Sequence, residues 1–283
     1  MLRRSLSCSV LCVASLAFAS GTTVTFDQGV QGFVVNGHDV PSADGGNPGA
    51  MLHWNNFVDT FFLELRTSEN PAFLGDLSRY GTSVTLSTDV KCEFIRNFFG
   101  NSIPRDIVLE LRDFDNAPRG YPYVSVFKVI GSVSGSTENW RRFETTFDPT
   151  SSTLPSGWGG TGAEDPNTFE PRLPANRTFA SVLANVDQVL FTTAEPGFFY
   201  VFSFFNMKYD NVSISSTPAC NSIDFNGDGL FPTDEDLVDF FAVYAGGTCS
   251  TSSCGTIDFN NDGLFPDDGD ILAFLQVFAG GEC

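Results

Sequence analysis

Residues 107–111 read Ile-Val-Leu-Glu-Leu, and the alternation of apolar positions in this stretch decides the fold class of most of the chain. Side chains two positions apart lie on one face of a β-strand, so the stretch predicts a strand with one face in a core. Residues 84–87 (VTLS) alternate in the same way, and comparable short segments, broken by Gly, Pro, Asn and Asp, fill residues 20–214. Roughly 190 residues of this kind predict a mainly β chain built around one jelly-roll-like β-sandwich.

The chain is strongly acidic. Its 283 residues contain 34 Asp and Glu against 15 Lys and Arg, which gives a formal net charge of −19. This charge repels phosphate backbones, so nucleic acid is not expected as a partner. No Lys or Arg follows Lys208, whereas residues 220–283 hold twelve acidic residues. An acidic segment that also carries regularly spaced apolar residues needs cations to pack, and bound metal is the simplest source.

Residues 1–19 have the features of a signal peptide. Two arginines precede an apolar run from Leu6 to Ala19, which ends in the small-x-small pattern Ala17-Phe18-Ala19. The run is shorter than the roughly 20 residues that span a bilayer, so cleavage after Ala19 is predicted rather than an anchor. The mature protein is therefore expected to be secreted or at the cell surface, without a membrane span. Disulfides persist in such compartments.

The C-terminal part contains an internal repeat. Residues 220–249 and 254–283 align at an offset of 34, with 18 of 30 positions identical. Such repetition predicts one structural unit present twice. Residues 215–219 (SSTPA) are predicted to be a short linker between the sandwich and this repeat.

Each repeat contains D-F-N-x-D-G, the pattern of a calcium loop with oxygen ligands at alternate positions and a glycine for the sharp turn. Two calcium ions are therefore expected. The predicted ligands in the first part of each loop, with the leucines acting through their carbonyl oxygens, are Asp224, Asn226, Asp228 and Leu230 in the first repeat, and Asp258, Asn260, Asp262 and Leu264 in the second.

The carboxylate that closes each loop is not at the usual twelfth position, because Glu235 in the first repeat is replaced by Gly269 in the second. Asp236 and Asp270 occur one residue later in both repeats, and they are the favoured closing ligands of a thirteen-residue loop. Asp234 and Asp268 are the alternative pair. An apolar pattern at helical spacing follows and ends at Ala-Gly-Gly in both repeats, which predicts a short helix capped by glycine.

Five cysteines remain after removal of the signal peptide. Four of them bracket the repeats, and the simplest of the three pairings joins Cys220 with Cys249 and Cys254 with Cys283. Metal ligation is the rival interpretation, although the spacings match no zinc pattern. Cys92 has no evident partner, so it is either a buried thiol or part of an intermolecular bridge.

With these residues in view, the segment 220–283 resembles a type I dockerin of the variant in which cysteines bracket each repeat. The resemblance implies two calcium loop-helix units, a small all-α pair at the C-terminus. It also implies attachment to a cohesin-like receptor or a cell-surface scaffold protein.

A second resemblance covers roughly residues 50–215. The residues that carry it are Pro71, Phe73, Leu74, Gly75, Asp76, Tyr80 and Gly81, followed by Leu183, Ala184, Asn185 and Val186. They are similar to the signature of the laminin B (domain IV) module. The resemblance implies a jelly-roll-like sandwich of extracellular, adhesive or glycan-associated proteins, with no catalytic residues to carry over, and it implies turn and core roles for the signature positions.

The sequence contains no G-x-S-x-G, H-E-x-x-H or phosphate-binding loop, which are motifs of nucleophilic catalysis, metal-dependent catalysis and phosphate binding. Aromatic side chains with polar edges suit sugar rings, so Trp158, Tyr121 and Tyr123 are candidate ligand-binding residues. Trp158 is expected to be the exposed one, because it lies in the glycine-rich stretch SGWGGTG.

Together these features predict an exported, non-catalytic protein whose sandwich binds a glycan or matrix ligand and whose calcium-loaded tail anchors it. Two alternatives stay open. The sandwich is a polysaccharide-active enzyme carried on a dockerin, or it is a structural component of an envelope or matrix.

Overall fold

The structure is a computed structural model that describes residues 21–55, 58–115, 117–216, 220–261 and 265–281. Five predictions fall wholly or partly outside these ranges. They concern the signal peptide at residues 1–19, the metal ligands Asp262 and Leu264, the disulfide cysteine Cys283, and residues 217–219 of the predicted linker.

The mainly β fold class is confirmed. The described residues form thirteen strands, one short helix between them and two helices in the tail. The strands are β1 (Gly21–Val24), β2 (Phe33–Val35), β3 (Leu52–Asn55), β4 (Glu64–Thr67), β5 (Val84–Arg96), β6 (Arg105–Asp113), β7 (Val124–Val133), β8 (Arg141–Phe147), β9 (Trp158–Gly160), β10 (Ala163–Glu164), β11 (Pro171–Arg172), β12 (Gln188–Thr192) and β13 (Phe204–Ser216); the helices are α1 (Phe179–Leu183), α2 (Asp234–Tyr244) and α3 (Asp268–Phe278).

Two antiparallel sheets make up the sandwich. In the described residues one sheet has the order β1-β13-β5-β8, with β3 also paired to β13, and the other has the order β2-β4-β12-β6-β7-β9. Strands β10 and β11 form a separate small hairpin. Many neighbours in the sheets are distant in sequence, as expected for a jelly-roll-like sandwich rather than a meander.

The core lies between the sheets and follows from the alternation in each strand. In β6, Ile107, Leu109 and Leu111 are buried in one cluster with residues of the other sheet such as Leu86 and Ile214. The residues between them on β6 therefore face the opposite side of the six-stranded sheet. That outer side does not face the second sheet.

The two segments that carry the laminin B resemblance contact each other directly. Gly75 N donates to Val186 O at 2.7 Å, and Val186 N donates to Gly75 O at 3.0 Å. Asp76 caps the following 3₁₀ turn through a bond from Ser78 N, and Phe73 is fully buried. The predicted turn and core roles of these positions are confirmed.

The end of the sandwich lies slightly later than the sequence indicates. Ser215 and Ser216 pair with Thr85 and Val84 in the ladder between β13 and β5. Two residues of the predicted linker 215–219 therefore belong to the last strand.

Helices α2 and α3 pack as a pseudo-symmetric pair. The rings of Phe240 and Phe274, which are equivalent in the two repeats, stack with centroids 4.0 Å apart. Phe225 and Phe259, the second residues of the two loops, pack edge-on against them, and all four side chains are fully buried. Aromatic pairs of these geometries stabilise a small core beyond the area that they bury.

Equivalent backbone hydrogen bonds join the two repeats of the tail. Asn221 N donates to Phe259 O at 2.8 Å, and its equivalent Gly255 N donates to Phe225 O at 2.7 Å. The predicted helix ends are also confirmed, since Gly246 and Gly280 have φ values of 79° and 84°, in the left-handed region that favours glycine.

The predicted disulfide pairing is wrong. Cys249, which ends the first repeat, is bonded to Cys254, which begins the second, so the bridge joins the two repeats instead of closing one of them. The short return from α2 places these two cysteines side by side, with Cα atoms 5.8 Å apart. Cys220 is also disulfide-bonded. Cys92 is a free, buried thiol, and burial, followed by the charge of Glu138, raises its pKa to about 12.

None of the helices in the described part of the chain has the length and hydropathy needed to cross a bilayer.

Candidate functional site

A cleft of about 340 Å³ lies on the outer face of the six-stranded sheet and is called the aromatic cleft here. Its floor consists of strand residues, and its wall is the loop between β12 and β13. The lining residues are Phe61, Phe62, Glu64, Glu110, Arg112, Tyr123, Thr192, Ala194, Glu195, Pro196, Gly197, Phe198, Phe199 and Tyr200.

Strand register sets the floor of the cleft. Arg66, Leu190, Glu110 and Phe127 occupy matching positions on β4, β12, β6 and β7, and they form one row across the outer face. Arg112 lies two residues further along β6, on the same face. The sequence alternation that buries Leu109 and Leu111 therefore also presents Glu110 and Arg112 to the cleft.

Arg112 is the centre of a charged network on this floor. Its guanidinium donates to Glu110 Oε2 at 2.7 Å and to Gln188 Oε1 at 3.0 Å, and it lies 3.6 Å from Glu64 Oε1. Glu110 is almost fully buried and accepts a second bond from Ser125 Oγ at 2.7 Å. Burial opposes the charge on Arg112, but the attraction and hydrogen bond of Glu110 outweigh it and raise the pKa of Arg112.

Tyr123 covers this network. Its ring lies 4.4 Å from the guanidinium carbon of Arg112, which fixes the plane of the ring beside the floor of the cleft. Burial, and then the negative charge of Glu110, raises the pKa of the Tyr123 hydroxyl. The tyrosine therefore stays neutral and keeps its donor at physiological pH.

The wall loop carries exposed aromatic side chains. Phe198 and Phe199 are 66% and 87% exposed, although each is large and apolar. Tyr200 behind them is fixed, because its hydroxyl accepts from Glu195 N at 2.9 Å and its ring lies 5.1 Å from the Arg105 guanidinium. Aromatic rings held open to solvent beside a polar floor are typical of a ligand site.

A second cleft of about 340 Å³ opens on the same face towards β2 and is called the polar cleft. It is lined by Val30, Gly32, Val34, Asp39, Arg66, Ser68, Glu69 and Gln188. The two clefts adjoin at two contacts, the bond between Arg112 and Gln188 at 3.0 Å and the ion pair between Arg66 and Glu64 at 3.2 Å. The face thus offers an aromatic end and a polar end.

The prediction that Trp158 is exposed is wrong. Its side chain is only 8% exposed, and its ring packs edge-on against Phe179 and Phe147 at centroid distances of 4.9 and 5.2 Å. The neighbouring glycines do not make a flexible loop. A Cβ at Gly159 would lie 2.4 Å from the Phe127 ring, so glycine there allows β9 to approach β7 closely.

The other two aromatic candidates, Tyr123 and Tyr121, lie in different places. Tyr123 lines the aromatic cleft, whereas Tyr121 lies in the preceding turn, where its N donates to Pro118 O, and is not part of the lining. Sequence reasoning missed Arg112 and the pair Phe198-Phe199. Two adjacent phenylalanines after Pro-Gly in a loop, and charges alternating with core residues in a strand, are the signals that would have indicated them.

The first predicted calcium loop, residues 224–236 (loop 1), is folded around its acidic side chains. Asp228 N donates both to Asp224 Oδ1 and to Asn226 Oδ1, each at 3.1 Å, which brings these two predicted ligand oxygens to the same place. Gly229 N donates to Asp224 Oδ2 at 3.0 Å, with φ at 83°. Leu230 N donates to Asp228 Oδ1 at 2.7 Å, so the Asp228 carboxylate also folds back over the loop.

The favoured closing residues, Asp236 and Asp270, have the same environment in both repeats. Each is fully buried and occupies the third position of its helix. Asp236 accepts from Asn226 N through Oδ1 and from Thr233 N through Oδ2. Asp270 accepts from the equivalent Asn260 N at 3.5 Å and also from Phe259 N through Oδ1, and from Asp267 N through Oδ2. The carboxylate thus joins the loop to the helix start. Asp234 and Asp268 are exposed.

The donor set of loop 1 fits a hard divalent cation. It consists of oxygen atoms from Asp224, Asn226 and Asp228, which are the ligands that Ca²⁺ prefers. No Lys or Arg occurs after Lys208, so these carboxylates have no basic side chain of their own segment to neutralise them. Of the predicted ligands in the second loop, residues 258–270 (loop 2), Asp258, Asn260, Asp268 and Asp270 are described, whereas Asp262 and Leu264 lie outside the described residues. Asp239, Cys249 and Cys254 also cluster, but disulfide-bonded sulfurs are not thiolate ligands.

No protein-family model and no curated protein sequence matches the chain. Solved structures with a similar shape include a xylan-binding domain of carbohydrate-binding module family 22, at 12% identity and a TM-score of 0.38 over 71% of this chain and 96% of that one. A family 30 carbohydrate-binding module is 14% identical, with a TM-score of 0.40 over 78% and 97%. The L4b domain of human laminin alpha-2 is 12% identical, with a TM-score of 0.32 over 54% and 70%. These values transfer neither a residue role nor a ligand to this chain.

Proposed function

We propose that the protein is a non-catalytic, glycan-binding module anchored by a calcium-loaded tail. The observation that carries the first half is the aromatic cleft, in which Tyr123, Phe198 and Phe199 stand beside a floor of hydrogen-bonding side chains. Flat apolar rings suit the faces of pyranose sugars, and fixed polar groups suit their hydroxyls.

The ligand is a linear polysaccharide segment rather than a single sugar. The aromatic cleft and the polar cleft adjoin on one sheet face and together extend from the wall loop to β2. A chain of several sugars would place one ring on the aromatic wall and hydroxyls against Arg66 and Gln188. Each of these two side chains already has a partner on the face, so the polar end is ordered before the ligand arrives.

Two of the three carboxylates that line the aromatic cleft, Glu64 and Glu110, are held in ion pairs, which favours binding over hydrolysis. Glycoside hydrolysis needs one carboxyl group that gives up a proton and a second that remains free to attack or to activate water. Glu110 and Glu64 instead share the Arg112 guanidinium, and Glu110 also accepts from Ser125. Both are occupied as partners in the floor network.

For the tail, we propose that loops 1 and 2 each bind one Ca²⁺. Asp224, Asn226 and Asp228 would hold the ion in loop 1 together with the Leu230 carbonyl, and Asp236 would close it. The bound ion supplies positive charge that neutralises the loop and lets α2 and α3 pack. The ordered tail then attaches the protein to a cohesin-like receptor or a cell-surface scaffold, outside the cytoplasm.

Affinity electrophoresis tests the glycan proposal. The full chain without its first 19 residues is run in gels that contain xylan, mixed-linkage glucan, mannan, polygalacturonate or a sulfated glycan. Retardation by at least one polysaccharide is expected. Phe199→Ala should weaken it, and Phe99→Ala provides the matched control, because Phe99 is 88% exposed, as Phe199 is 87%, but lies outside the cleft lining.

A stacking ring contributes on the order of 1 kcal/mol, so Phe199→Ala should lower affinity about fivefold and Phe99→Ala should not change it. Equal losses in both variants, or no retardation by any of the five polysaccharides, would contradict glycan binding on this face.

A calcium titration tests the tail. Calorimetry on the same protein should show two bound ions, and none in a variant with Asp224→Ala and Asp258→Ala together. Pull-down of surface proteins with and without calcium then tests anchoring. The two alternatives predicted from the sequence have separate tests. Turnover of the retained polysaccharide would indicate a polysaccharide-active enzyme. Self-association in sedimentation experiments without sugar would indicate a matrix component.

A further inference from the structure

The aromatic cleft presents more negative than positive charge to a ligand. Its lining contains three carboxyl side chains, those of Glu64, Glu110 and Glu195, and one guanidinium, that of Arg112. The adjoining polar cleft has a similar excess, with two carboxyl side chains and one guanidinium in its lining. Clefts lined by one sign of charge concentrate the field of those charges, so the charge of the ligand affects binding along the whole face.

Glu195 differs from the other two carboxylates of the aromatic cleft. Glu64 and Glu110 are ion-paired to Arg112, at 3.6 and 2.7 Å. Among the residues that the structure describes, only the backbone atoms of Glu195 form hydrogen bonds, and its carboxylate has no ion pair. Both carboxylate oxygens of Glu195 are therefore available to a ligand in the cleft.

The wall loop holds the backbone of Glu195 in place. Glu195 N donates to the Tyr200 hydroxyl at 2.9 Å, and Phe198 N donates to Glu195 O at 3.2 Å. These bonds close residues 195–200 into a compact turn, and the aromatic side chains of that turn also line the cleft. The Glu195 side chain therefore begins at a fixed point of the backbone beside the rings proposed to stack on sugars.

The surroundings of Glu195 already disfavour negative charge. The residue is half-buried, and burial, followed by the charge of Asp106, raises the pKa of its carboxyl group. The ionised group therefore lowers the stability of the free protein, and a group that lowers stability in a cleft is a candidate for function. A ligand carboxylate or sulfate in this cleft would add a further negative charge where water screens it less than in bulk solvent.

The hydrogen-bonding groups of the cleft also suit an uncharged ligand. A sugar hydroxyl can donate to the Glu195 carboxylate, which accepts but cannot donate. An anionic group needs donors instead, and the guanidinium of Arg112 on the floor already donates to Glu110 and Gln188. At Glu195 a hydroxyl group therefore meets an acceptor, whereas an anionic group meets a like charge.

We infer that Glu195 is a specificity-determining residue, which makes the aromatic cleft select uncharged polysaccharides and reject chains that carry carboxylate or sulfate groups. The inference rests on the proposed glycan binding and names the class of glycan. A like charge placed against the wrong ligand gives specificity, because it weakens that ligand and leaves the right one unaffected. Glu195 would combine this repulsion with an acceptor for the hydroxyl groups of the uncharged chain.

The test compares ligands that differ in charge and in little else. Xylan, mixed-linkage glucan and mannan are each prepared in a carboxymethylated and a hydroxyethylated form, sparsely substituted to the same degree. The two substituents are similar in size, but only the first is charged. Affinity for both forms is measured by calorimetry on the full chain without its first 19 residues, and the ratio of the two affinities measures charge selectivity.

Two variants separate the local charge from the net charge of the protein. Glu195→Gln removes the charge in the cleft and keeps the shape of the side chain. Asp44→Asn removes one negative charge at an exposed residue that lines neither the aromatic cleft nor the polar cleft. Thermal unfolding shows that each variant is folded.

The wild type should bind the hydroxyethylated form of at least one of the three polysaccharides about 10-fold more tightly than the carboxymethylated form. Glu195→Gln should lower this ratio about fivefold, mainly because the carboxymethylated form binds more tightly. Asp44→Asn should leave the ratio nearly unchanged, since its charge is outside the clefts. Glutamine keeps one acceptor oxygen, so affinity for the hydroxyethylated form should fall less than the ratio does.

Equal affinity of the wild type for the two forms, or an equal change of the ratio in Glu195→Gln and Asp44→Asn, would overturn the role of Glu195. Retardation in the gels by polygalacturonate or the sulfated glycan alone would also overturn it, although glycan binding itself would then stand. Absence of binding to every polysaccharide, charged or uncharged, is a different result, because it would overturn the proposed glycan function and this inference with it.

Discussion

The guanidinium of Arg112 lies 4.4 Å from the centre of the Tyr123 ring and donates at 2.7 Å to Glu110 beneath it. One side chain thus links a buried carboxylate to an aromatic surface of the cleft. Lysine could not take its place, because only the planar guanidinium stacks on a ring while it bonds two partners. Arg112, Glu110 and Tyr123 therefore depend on one another, and removal of one of them should disturb the other two.

Arg112→Ala should destabilise the sandwich by about 3 kcal/mol, because it leaves the carboxylate of Glu110 buried with only Ser125 as a partner. Replacing both charges, Glu110→Leu with Arg112→Met, should restore most of that stability, since no unpaired charge remains. Urea unfolding measures both. If the single variant costs less than about 1 kcal/mol, these side chains do not depend on one another as described above.

The Glu195 carboxyl group should make stability depend on pH. Burial, and then the charge of Asp106, raises its pKa in the folded state. The folded state therefore holds this proton to higher pH than the unfolded chain does, and stability falls as pH rises from the unfolded value of about 4.3 through the raised folded value.

Glu195→Gln removes that dependence. Its melting temperature should equal that of the wild type at a pH below both values and exceed it at pH 7. Melting curves from pH 3 to 8 provide the measurement, and a variant that melts lower than wild type at pH 7 would show that the carboxylate is stabilising instead.

Trp158 should act as a core residue and not as a ligand platform. Trp158→Ala removes the ring that packs on Phe147 and Phe179, and it should cost about 3 to 5 kcal/mol in urea unfolding. Trp158→Phe keeps an aromatic ring in place and should leave polysaccharide retardation unchanged. Loss of retardation in the phenylalanine variant, with its stability preserved, would return Trp158 to the binding surface.

Asp236 and Asp234 should differ although they are two residues apart. Asp236→Ala removes the carboxylate that joins loop 1 to the start of α2, so it should destabilise the tail by about 1 to 2 kcal/mol even in chelator. Asp234→Ala, at an exposed position, should cost about 0.5 kcal/mol or less. Similar costs for the two in chelator would remove the distinction between the closing residue and its neighbour.

The bridge between Cys249 and Cys254 should stabilise the tail mainly by restricting the unfolded chain. A closed loop of this length corresponds to about 2 kcal/mol in the chain-entropy description. The Cys249→Ser, Cys254→Ser double variant should therefore unfold earlier by that amount, as followed by helical circular dichroism. An unchanged transition would indicate that the hydrogen bonds from Thr251 and Gly255 to the backbone of loop 1 suffice without the bridge.

Local sequence patterns were sufficient to predict many of the structural elements of this protein. Alternation along β6 predicts the strand and its buried face, and the 34-residue repeat predicts two equivalent loop-helix units with Phe240 and Phe274 at matching positions. Glycine after each helix predicts its left-handed end. These features depend on residues that are close in sequence, where backbone geometry alone fixes which side chains share a face.

Tertiary structure decided what lies across the sheet and between the repeats. Arg112 meets Gln188 and Tyr123 only because β6 pairs with β12 and β7, and no spacing along the chain indicates those pairs. Trp158 is buried because glycine lets β9 approach β7, although a glycine-rich stretch looks like a loop in sequence. Cys249 joins Cys254 because the chain turns back after α2. Each outcome depends on the distance between residues in space. Strand pairing and the path of the chain set that distance, and local sequence patterns do not.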